Sequence, residues 1–402
     1  MDFEFSPRAL ELREKILTFF DKYIYPNEKV IKQQVEDSGD PHHYPEILDE
    51  LKEVAKAEGL WNFFSPISEV GGGLSNLDYA PIAEIMGRVS WSSAVFNCAA
   101  PDTGNMEILA EFGTEEQKEK WLKPLLTGEI RSCFAMTEPD VASSDATNIQ
   151  LTIKRDGDHY VLNGRKWFIS GAASKRCKIS ITMGKTDPDS PNKYRQQSMV
   201  LVPLDTPGLT VKRAIPVFGH SGGGGHCELT YENVRVPITN ILGEEGGGFA
   251  IAQARLGPGR IHHCMRSVGA AQRALELMCQ RATKRIAFGK PLSQQGVIQS
   301  WIAEAKIEIE MVRLLVLKAA WAMDKYGKKA AMEDIALIKV AAARMHTNVT
   351  DRAIQVFGAA GVSDDYPLAS MYVGGRTMHI VDGPDEVHMR TIARNELQKW
   401  AD

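Results

Sequence analysis

Ile149-Gln150-Leu151-Thr152-Ile153-Lys154-Arg155-Asp156-Gly157 decides the fold, because here apolar and polar residues begin to alternate after more than a hundred residues that never do so. A period of two places Ile149, Leu151 and Ile153 on one face of a half-buried strand. Asp156-Gly157 and then Asn163-Gly164 read as hairpin turns, since Asn, Asp and Gly accept the positive φ that tight hairpins need. Lys178 to Met183, Ser198 to Pro203, Leu209 to Ile215 and Cys227 to Val236 continue the alternation. An antiparallel, all-β insert is expected over roughly residues 131–240.

On both sides of it the period is helical. Upstream, Ser6 is placed as an N-cap with Pro7 at the first helical position, ahead of Leu10, Leu12, Ile16, Leu17 and Phe20. Helical stretches follow over 44–59, 77–89 and 114–126. Downstream, Ile302, Ala305, Ile309, Val312, Val316, Ala319 and Met323 mark one face before Gly327, and Ile335, Ile338, Ala342, Met345, Val349 and Val356 mark another before Gly358. The chain reads as an α+β multidomain protein. An all-helical domain over 1–130 precedes a middle antiparallel β-barrel or sandwich over 131–240 and a C-terminal four-helix bundle over 241–402.

With 402 residues, 44% apolar and 24% charged, the chain can bury a large core, and its net charge of -4 gives no general attraction for nucleic acid. The six cysteines include no C-x-x-C pair, which suggests reduced thiols rather than a zinc ribbon or a disulfide framework. No apolar run approaches the roughly 20 residues of a membrane span. The start, Met1-Asp2-Phe3-Glu4-Phe5, is too acidic for a presequence, so a cytoplasmic location is expected, or the mitochondrial matrix if a leader has been removed.

Several motifs fail on spacing. Ser221 to Gly225 and Gly243 to Gly248 are glycine-rich, yet neither has the pattern of a P-loop or a dinucleotide fingerprint, and flexible turns are expected. His42-His43 and His262-His263 are adjacent pairs without H-E-x-x-H spacing, so no metal site is expected.

Two segments carry chemistry. In Ile380-Val381-Asp382-Gly383-Pro384-Asp385-Glu386-Val387, an aspartate walled by Ile and Val would be partly desolvated, which raises a carboxyl pKa from about 3.9 toward neutrality and suits a general base. The plain alternative is that Asp382 or Asp385 caps the following helix. In Cys133 to Asp145, hydroxyls, small residues and turn formers would let backbone N–H groups approach an anion, as would any polar loop.

The run Thr137-Glu138-Pro139-Asp140-Val141-Ala142-Ser143-Ser144-Asp145 resembles the flavin-binding loop of the acyl-CoA dehydrogenase family, T-E-P-G-A-G-S-D, with one extra residue. Lys166 to Ser170 resembles the family's strand beside the flavin. Val234-Arg235-Val236-Pro237 through Asn240 to Gly243 resembles V-R-V-P…N-L-G, Arg285 to Gly289 resembles R-x-x-F-G, and Gln355 to Gly361 the glycine-rich cofactor loop. Ala100 to Asn105 and Ala142 to Asn148 are most similar to the branch that animals fuse to an aminoglycoside-phosphotransferase-like kinase domain, and no kinase portion is expected within these 402 residues.

The resemblance implies FAD, an acyl-CoA substrate, a homodimer or homotetramer, and electron-transfer flavoprotein as acceptor. It implies Asp382 as the base, its backbone N–H serving the thioester carbonyl. Thr137 and Ser170 would bond the isoalloxazine beside Phe168, with Phe134, Met136, Ser143 and Ile169 lining it and Ser144 and Arg285 near the pyrophosphate. Arg285, Gln355 and Gly358 would come from a neighbouring subunit, with Phe288 in the same motif and Glu386 on the adenosine side. Ser144, Arg260 and Gly383 would touch substrate. The branch implies medium to long or 4-hydroxylated acyl chains.

Some positions depart from the family. Asp382 replaces a glutamate, losing roughly 1.5 Å of reach, and a misplacement of about 1 Å can cost a hundredfold in rate. Pro384 replaces a threonine, Ala359 stands in a G-G position, and Gly259 occupies the alternative base position of branched-chain members. An aspartate base also occurs in related nitroalkane oxidases. That activity, an acyl-CoA oxidase, or an inactive oligomeric scaffold are the alternatives.

Overall fold

The computed structural model describes residues 4–219 and 224–401. Contacts group the chain into two compact units, one made of Met1–Tyr25, Gly73–Ser93 and Gly257–Asp402, the other of Pro26–Gly72 and Ala94–Leu256. Along the chain, helices come first, a β region follows, and long helices close it.

The second unit is built on an eight-stranded sheet: β1 (Arg131–Ala135), β2 (Thr152–Asp156), β3 (His159–Ser170), β4 (Cys177–Lys185), β5 (Gln197–Pro203), β6 (Leu209–Ala214), β7 (His226–Pro237) and β8 (Ile241–Leu242). The order is β6-β7-β3-β2-β4-β5-β8, with β1 beside β4. Leu151, Ile153, Leu162, Ile169, Val200, Val202, Leu229 and Val234 form its core, as the alternation predicts. Each such side chain taken out of water contributes about 1.5–3 kcal/mol.

Two expectations change here. Asp156-Gly157 does turn β2 into β3, with Gly157 at φ 62°. Asn163-Gly164 does not turn; it lies inside β3, where the register against β7 shifts between Leu162 and Gly164. The same backbone demand that makes Asn-Gly a turn also makes it a bulge, and Gly164 is needed because a Cβ would come within 3.0 Å of the Leu151 backbone. Nor is the sheet wholly antiparallel, since β1 pairs with β4 in parallel.

In the first unit the helices Pro7–Phe19, Asn76–Gly87, Gly296–Ala330, Met332–Phe357, Leu368–Met378 and Asp385–Gln398 pack with the part of helix Gly248–Lys284 that begins at Gly257. The apolar stripes read from sequence are the buried faces: Ala305, Ile309, Val312, Val316 and Ala319 on one helix, Ile335, Ile338, Ala342, Met345 and Val349 on the next. Gly327 leaves helical geometry at φ 81°, and Gly358 ends its helix at φ 64°. Ser6 caps the first helix, its side chain accepting from the Ala9 N–H. Both carboxylate oxygens of Asp324 accept backbone N–H groups at the start of helix Asn76–Gly87, from Asn76 and Leu77 at 2.9 Å each. A Cβ at Gly269 would fall 1.7 Å from the Glu84 carbonyl, so this helix pair touches backbone to backbone.

Candidate active site

Residues 379–385 form a closed loop in the first unit. The Asp385 N–H donates to the His379 carbonyl at 3.0 Å, and the His379 Nδ1 meets the Asp385 carboxylate at 2.7 Å. His379 Nε2 lies 3.1 Å from the Thr347 hydroxyl, tying the loop to helix Met332–Phe357. Asp382 stands within it at φ 54° and Gly383 at φ 102°. Left-handed backbone is uncommon away from glycine, and Asp and Asn tolerate it best. Neither Asp382 nor Asp385 caps the next helix, because its N-cap position is Pro384 and no side chain bonds there.

The Asp382 carbonyl accepts from Arg260 Nε at 2.8 Å and from His388 Nε2 at 3.3 Å. Its carboxylate Oδ2 lies 3.4 Å from His263 Nε2, and a Cβ at Gly259 would sit 3.9 Å from that same oxygen. The expected apolar walls are absent: Ile380 is 60% exposed and Val381 39% exposed. Those two side chains face outward, and basic groups lie near Asp382 instead. Lys339 is among them, buried with its Nζ on the Met378 carbonyl at 2.7 Å and its pKa lowered by burial against the pull of Cys264 and Asp382. His388 is held down to about 4 by burial and then by Arg260 and Lys339. Arg260, expected as a substrate contact, thus uses its Nε on the Asp382 backbone.

Sequence reading missed His263. The available signal was its place three and four residues after Arg260 and Gly259, which puts all three on one helical face.

In the second unit the candidate flavin residues gather around one end of β3. The Trp167 N–H donates to the Thr137 carbonyl at 3.0 Å, and the Thr137 hydroxyl donates to the Trp167 carbonyl at 2.5 Å. Phe168 has φ 53°, is 44% exposed, and packs edge-on to Trp167 with ring centroids 5.0 Å apart. Strained backbone presenting an exposed ring is the kind of feature that collects at ligand sites. The Ser170 hydroxyl bonds His226 Nδ1 at 2.9 Å, and the Ser143 hydroxyl accepts from the Glu138 N–H at 2.8 Å. Ser144 is exposed and Met136 half-buried. Ile169 is an exception among these residues, for its side chain belongs to the sheet core and only its backbone can face a ligand.

Beneath this surface lies a charge pair the sequence reading quoted without a role. Lys166 Nζ donates to Glu138 Oε1 and to the Met136 carbonyl, both at 2.8 Å, and Glu138 accepts from the backbone of Gln150 at 2.7 Å and Leu151 at 2.8 Å. The pair fixes residues 136–138 against β2 and β3. Asp102 and Asn105 similarly anchor β1: Asp102 accepts from the Ser132 N–H at 2.7 Å, and Asn105 receives Arg255 Nε at 2.9 Å, whose guanidinium lies 4.1 Å above the Phe134 ring.

Of the remaining candidates, Arg285, Gln355, Gly358 and Glu386 are all exposed in the first unit. Arg285 precedes β9 (Ile286–Ala287), which pairs with β10 (Lys290–Pro291), and Phe288 at the tip is 100% exposed. Arg281 stacks over Phe357 at 5.3 Å, bringing this end of helix Gly248–Lys284 to that of Met332–Phe357.

Three family models match in chain order: the N-terminal domain of acyl-CoA dehydrogenase over residues 6–129, the middle domain over 133–234, and the C-terminal domain over 246–397. The chain belongs to the acyl-CoA dehydrogenase family. It is 56% identical over 404 residues to the probable acyl-CoA dehydrogenase FadE2 of Mycobacterium tuberculosis, covering 99% of this chain and 98% of that one. It is 54% identical over 399 residues to human acyl-CoA dehydrogenase family member 11, covering 98% of this chain but 51% of the human protein, so it spans about half that relative's length. Among solved structures, PigA with FAD and proline superposes with a TM-score of 0.85 at 26% identity, covering 98% of this chain and 99% of that one.

The enzyme is therefore a flavoprotein oxidoreductase with FAD as its cofactor. The residues of the second unit fit that group: an exposed aromatic ring in strained backbone at Phe168 and hydroxyls at Thr137 and Ser170 beside it. No helix among the described residues is long and apolar enough to cross a membrane.

Proposed function

We propose that this acyl-CoA dehydrogenase introduces an α,β double bond into medium to long or 4-hydroxylated acyl-CoA thioesters, giving trans-2-enoyl-CoA, with Asp382 as the base. The observation that carries the reading is the double hold on Asp382: a left-handed backbone whose carbonyl is bonded by Arg260 and His388, and a carboxylate facing His263. A side chain fixed at both ends is positioned for proton abstraction, where geometry comes before basicity.

Bound FAD supplies the hydride acceptor and the redox chemistry. Thr137, Ser170 and Phe168 would hold its ring, and Ser144 and Arg285 its pyrophosphate, arginine suiting phosphate through permanent charge and forked donors. Asp382 takes the α-proton, while its backbone N–H stabilises the charge developing on the thioester oxygen. The cationic Arg260 and Lys339 lie close to Asp382, and Arg260 keeps its backbone in place through the carbonyl as the proton arrives.

The acceptor we assign is electron-transfer flavoprotein, and the assembly a homodimer or homotetramer. Support for assembly comes from the exposed β9–β10 hairpin and from Ile307, Met311 and Leu314, exposed at 57%, 59% and 52% along one face of helix Gly296–Ala330. The spacing i, i+4, i+7 is that of a helical contact stripe.

The test is an anaerobic titration of the yellow enzyme with acyl-CoAs of graded length, 4-hydroxylated ones included. Bleaching that peaks at medium to long chains is expected. Hydrogen peroxide formed at each turnover without any acceptor protein would point to an oxidase instead.

A further inference from the structure

We propose that His263, held by Arg266, is the positioning residue that orients the Asp382 carboxylate. The inference rests on the reading of Asp382 as the base and adds a second group to it.

His263 lies on helix Gly248–Lys284, one turn beyond Gly259 and Arg260. Its Nε2 is 3.4 Å from Asp382 Oδ2, and its Nδ1 is 3.2 Å from a terminal guanidinium nitrogen of Arg266. Arginine can only donate. Nδ1 must then accept, and the single proton of a neutral imidazole sits on Nε2, aimed at the carboxylate. The positive charge of Arg266 beside the ring opposes a second proton. The other charged and titratable groups around the pair are Arg260, His262 and Cys264 on the same helix, Lys339 on Met332–Phe357, and His388 and Asp385 on Asp385–Gln398. Arg260 and Lys339 disfavour a second proton on the imidazole and the carboxylates of Asp382 and Asp385 favour one, so the Arg266 contact decides, because a protonated Nδ1 could not accept it.

The consequence is a neutral donor that keeps its own proton. When the α C–H bond breaks, its electron pair stays with the acyl group and the proton forms an O–H bond on Asp382. His263 has no vacant lone pair to take that proton onward, because Arg266 occupies Nδ1. It holds one carboxylate oxygen and thereby restricts the rotation of a side chain that is one methylene shorter than glutamate. The arrangement depends on both neighbours, since without Arg266 the ring could place its proton on either nitrogen.

The experiment uses the FAD-loaded enzyme and has two parts. In the first, ¹⁵N NMR of the histidine-labelled wild-type enzyme reads the His263 ring, assigned by its loss in His263→Gln. A protonated Nε2 with an unprotonated Nδ1 is expected, and a proton on Nδ1 overturns the proposal whatever the rates of the variants. In the second, His263→Leu and His263→Gln are compared with Asp382→Asn by the rate of anaerobic flavin reduction across pH and by the acyl-CoA Kd. His263→Leu should slow reduction by about tenfold to hundredfold with an altered pH profile and near-unchanged Kd, and His263→Gln, which retains a donor, should recover most of the rate. If Asp382→Asn abolishes reduction while His263→Leu keeps the wild-type rate and profile, the positioning role is wrong and the base stands. Reduction that survives Asp382→Asn overturns both.

Discussion

Arg260 and Asp382, 122 residues apart in the chain, meet through a 2.8 Å bond from the guanidinium Nε to the aspartate carbonyl. A side chain expected from the sequence to touch substrate therefore holds the backbone of the proposed base. Asp382 sits at φ 54°, a conformation that costs on the order of 1 kcal/mol unless its surroundings enforce it, and this bond is part of that enforcement.

Replacing Arg260 by Met should release the loop, leaving the carbonyl to His388 alone. The expected loss is about a hundredfold in the rate of flavin reduction, the scale of a 1 Å misplacement. Arg260→Lys should not restore it, because a flexible ammonium cannot reproduce the planar donor. Stopped-flow reduction at saturating acyl-CoA separates this from a weaker Kd.

Lys166 and Glu138 form a buried pair, with the lysine pKa pushed down to about 8 by burial while Glu138 pulls it back up. Lys166→Met strands the carboxylate and should destabilise the protein by about 3–5 kcal/mol. The Lys166→Met/Glu138→Gln double variant should regain much of that. Urea unfolding and FAD content measured on the same samples would check it, and an unchanged single variant would show that the pair does not hold the flavin loop.

Arg285 and Phe288 lie at an exposed hairpin that makes few contacts with its own chain. Arg285→Ala and Phe288→Ala should change protomer stability by no more than about 0.5 kcal/mol, as for surface positions. Each should nevertheless weaken FAD retention, read by flavin fluorescence after gel filtration. Full retention in both would remove the hairpin from the cofactor site.

Acid should weaken the helical unit, where three buried histidines lie. Burial pushes His262 down to about 3 and His346 and His388 down to about 4, from the free value of 6.5. As pH falls, the unfolded chain binds these protons first, so the stabilisation is whole above 6.5 and drains away as pH drops toward 4. Each group contributes a slope of about 1.4 kcal/mol per pH unit in that window. Urea midpoints at pH 7 and pH 5 should differ, and His346→Leu should flatten the difference.

Much of this was legible in the sequence where a local pattern fixes local structure. Ala305 to Ala319 and Ile335 to Val349 bury the stripes their spacing announces, and Ile149 to Ile153 turn inward in alternation. What escaped is what depends on distant partners. Asn163-Gly164 satisfies the demands of a turn and of a bulge equally, and only its neighbours Leu151 and β7 choose between them. Ile380 and Val381 look like walls in the sequence, but the turn after Thr377, whose carbonyl takes both their N–H groups, leaves them exposed. His263 reads as one of a bland pair because its partner is 119 positions away, and the glycines at 222 and 223, with Ser221, lie outside the described residues while Gly224 and Gly225 accept backbone bonds from Ala173 and Gly171.

The central claim is that the Asp382 carboxylate removes the α-proton, and anaerobic titration of Asp382→Asn with an acyl-CoA tests it most directly. The variant should purify yellow, bind the acyl-CoA, and fail to bleach, since an amide cannot accept the proton and loss of a general base costs about 10²–10⁴ in rate. Bleaching at the wild-type rate would contradict the account.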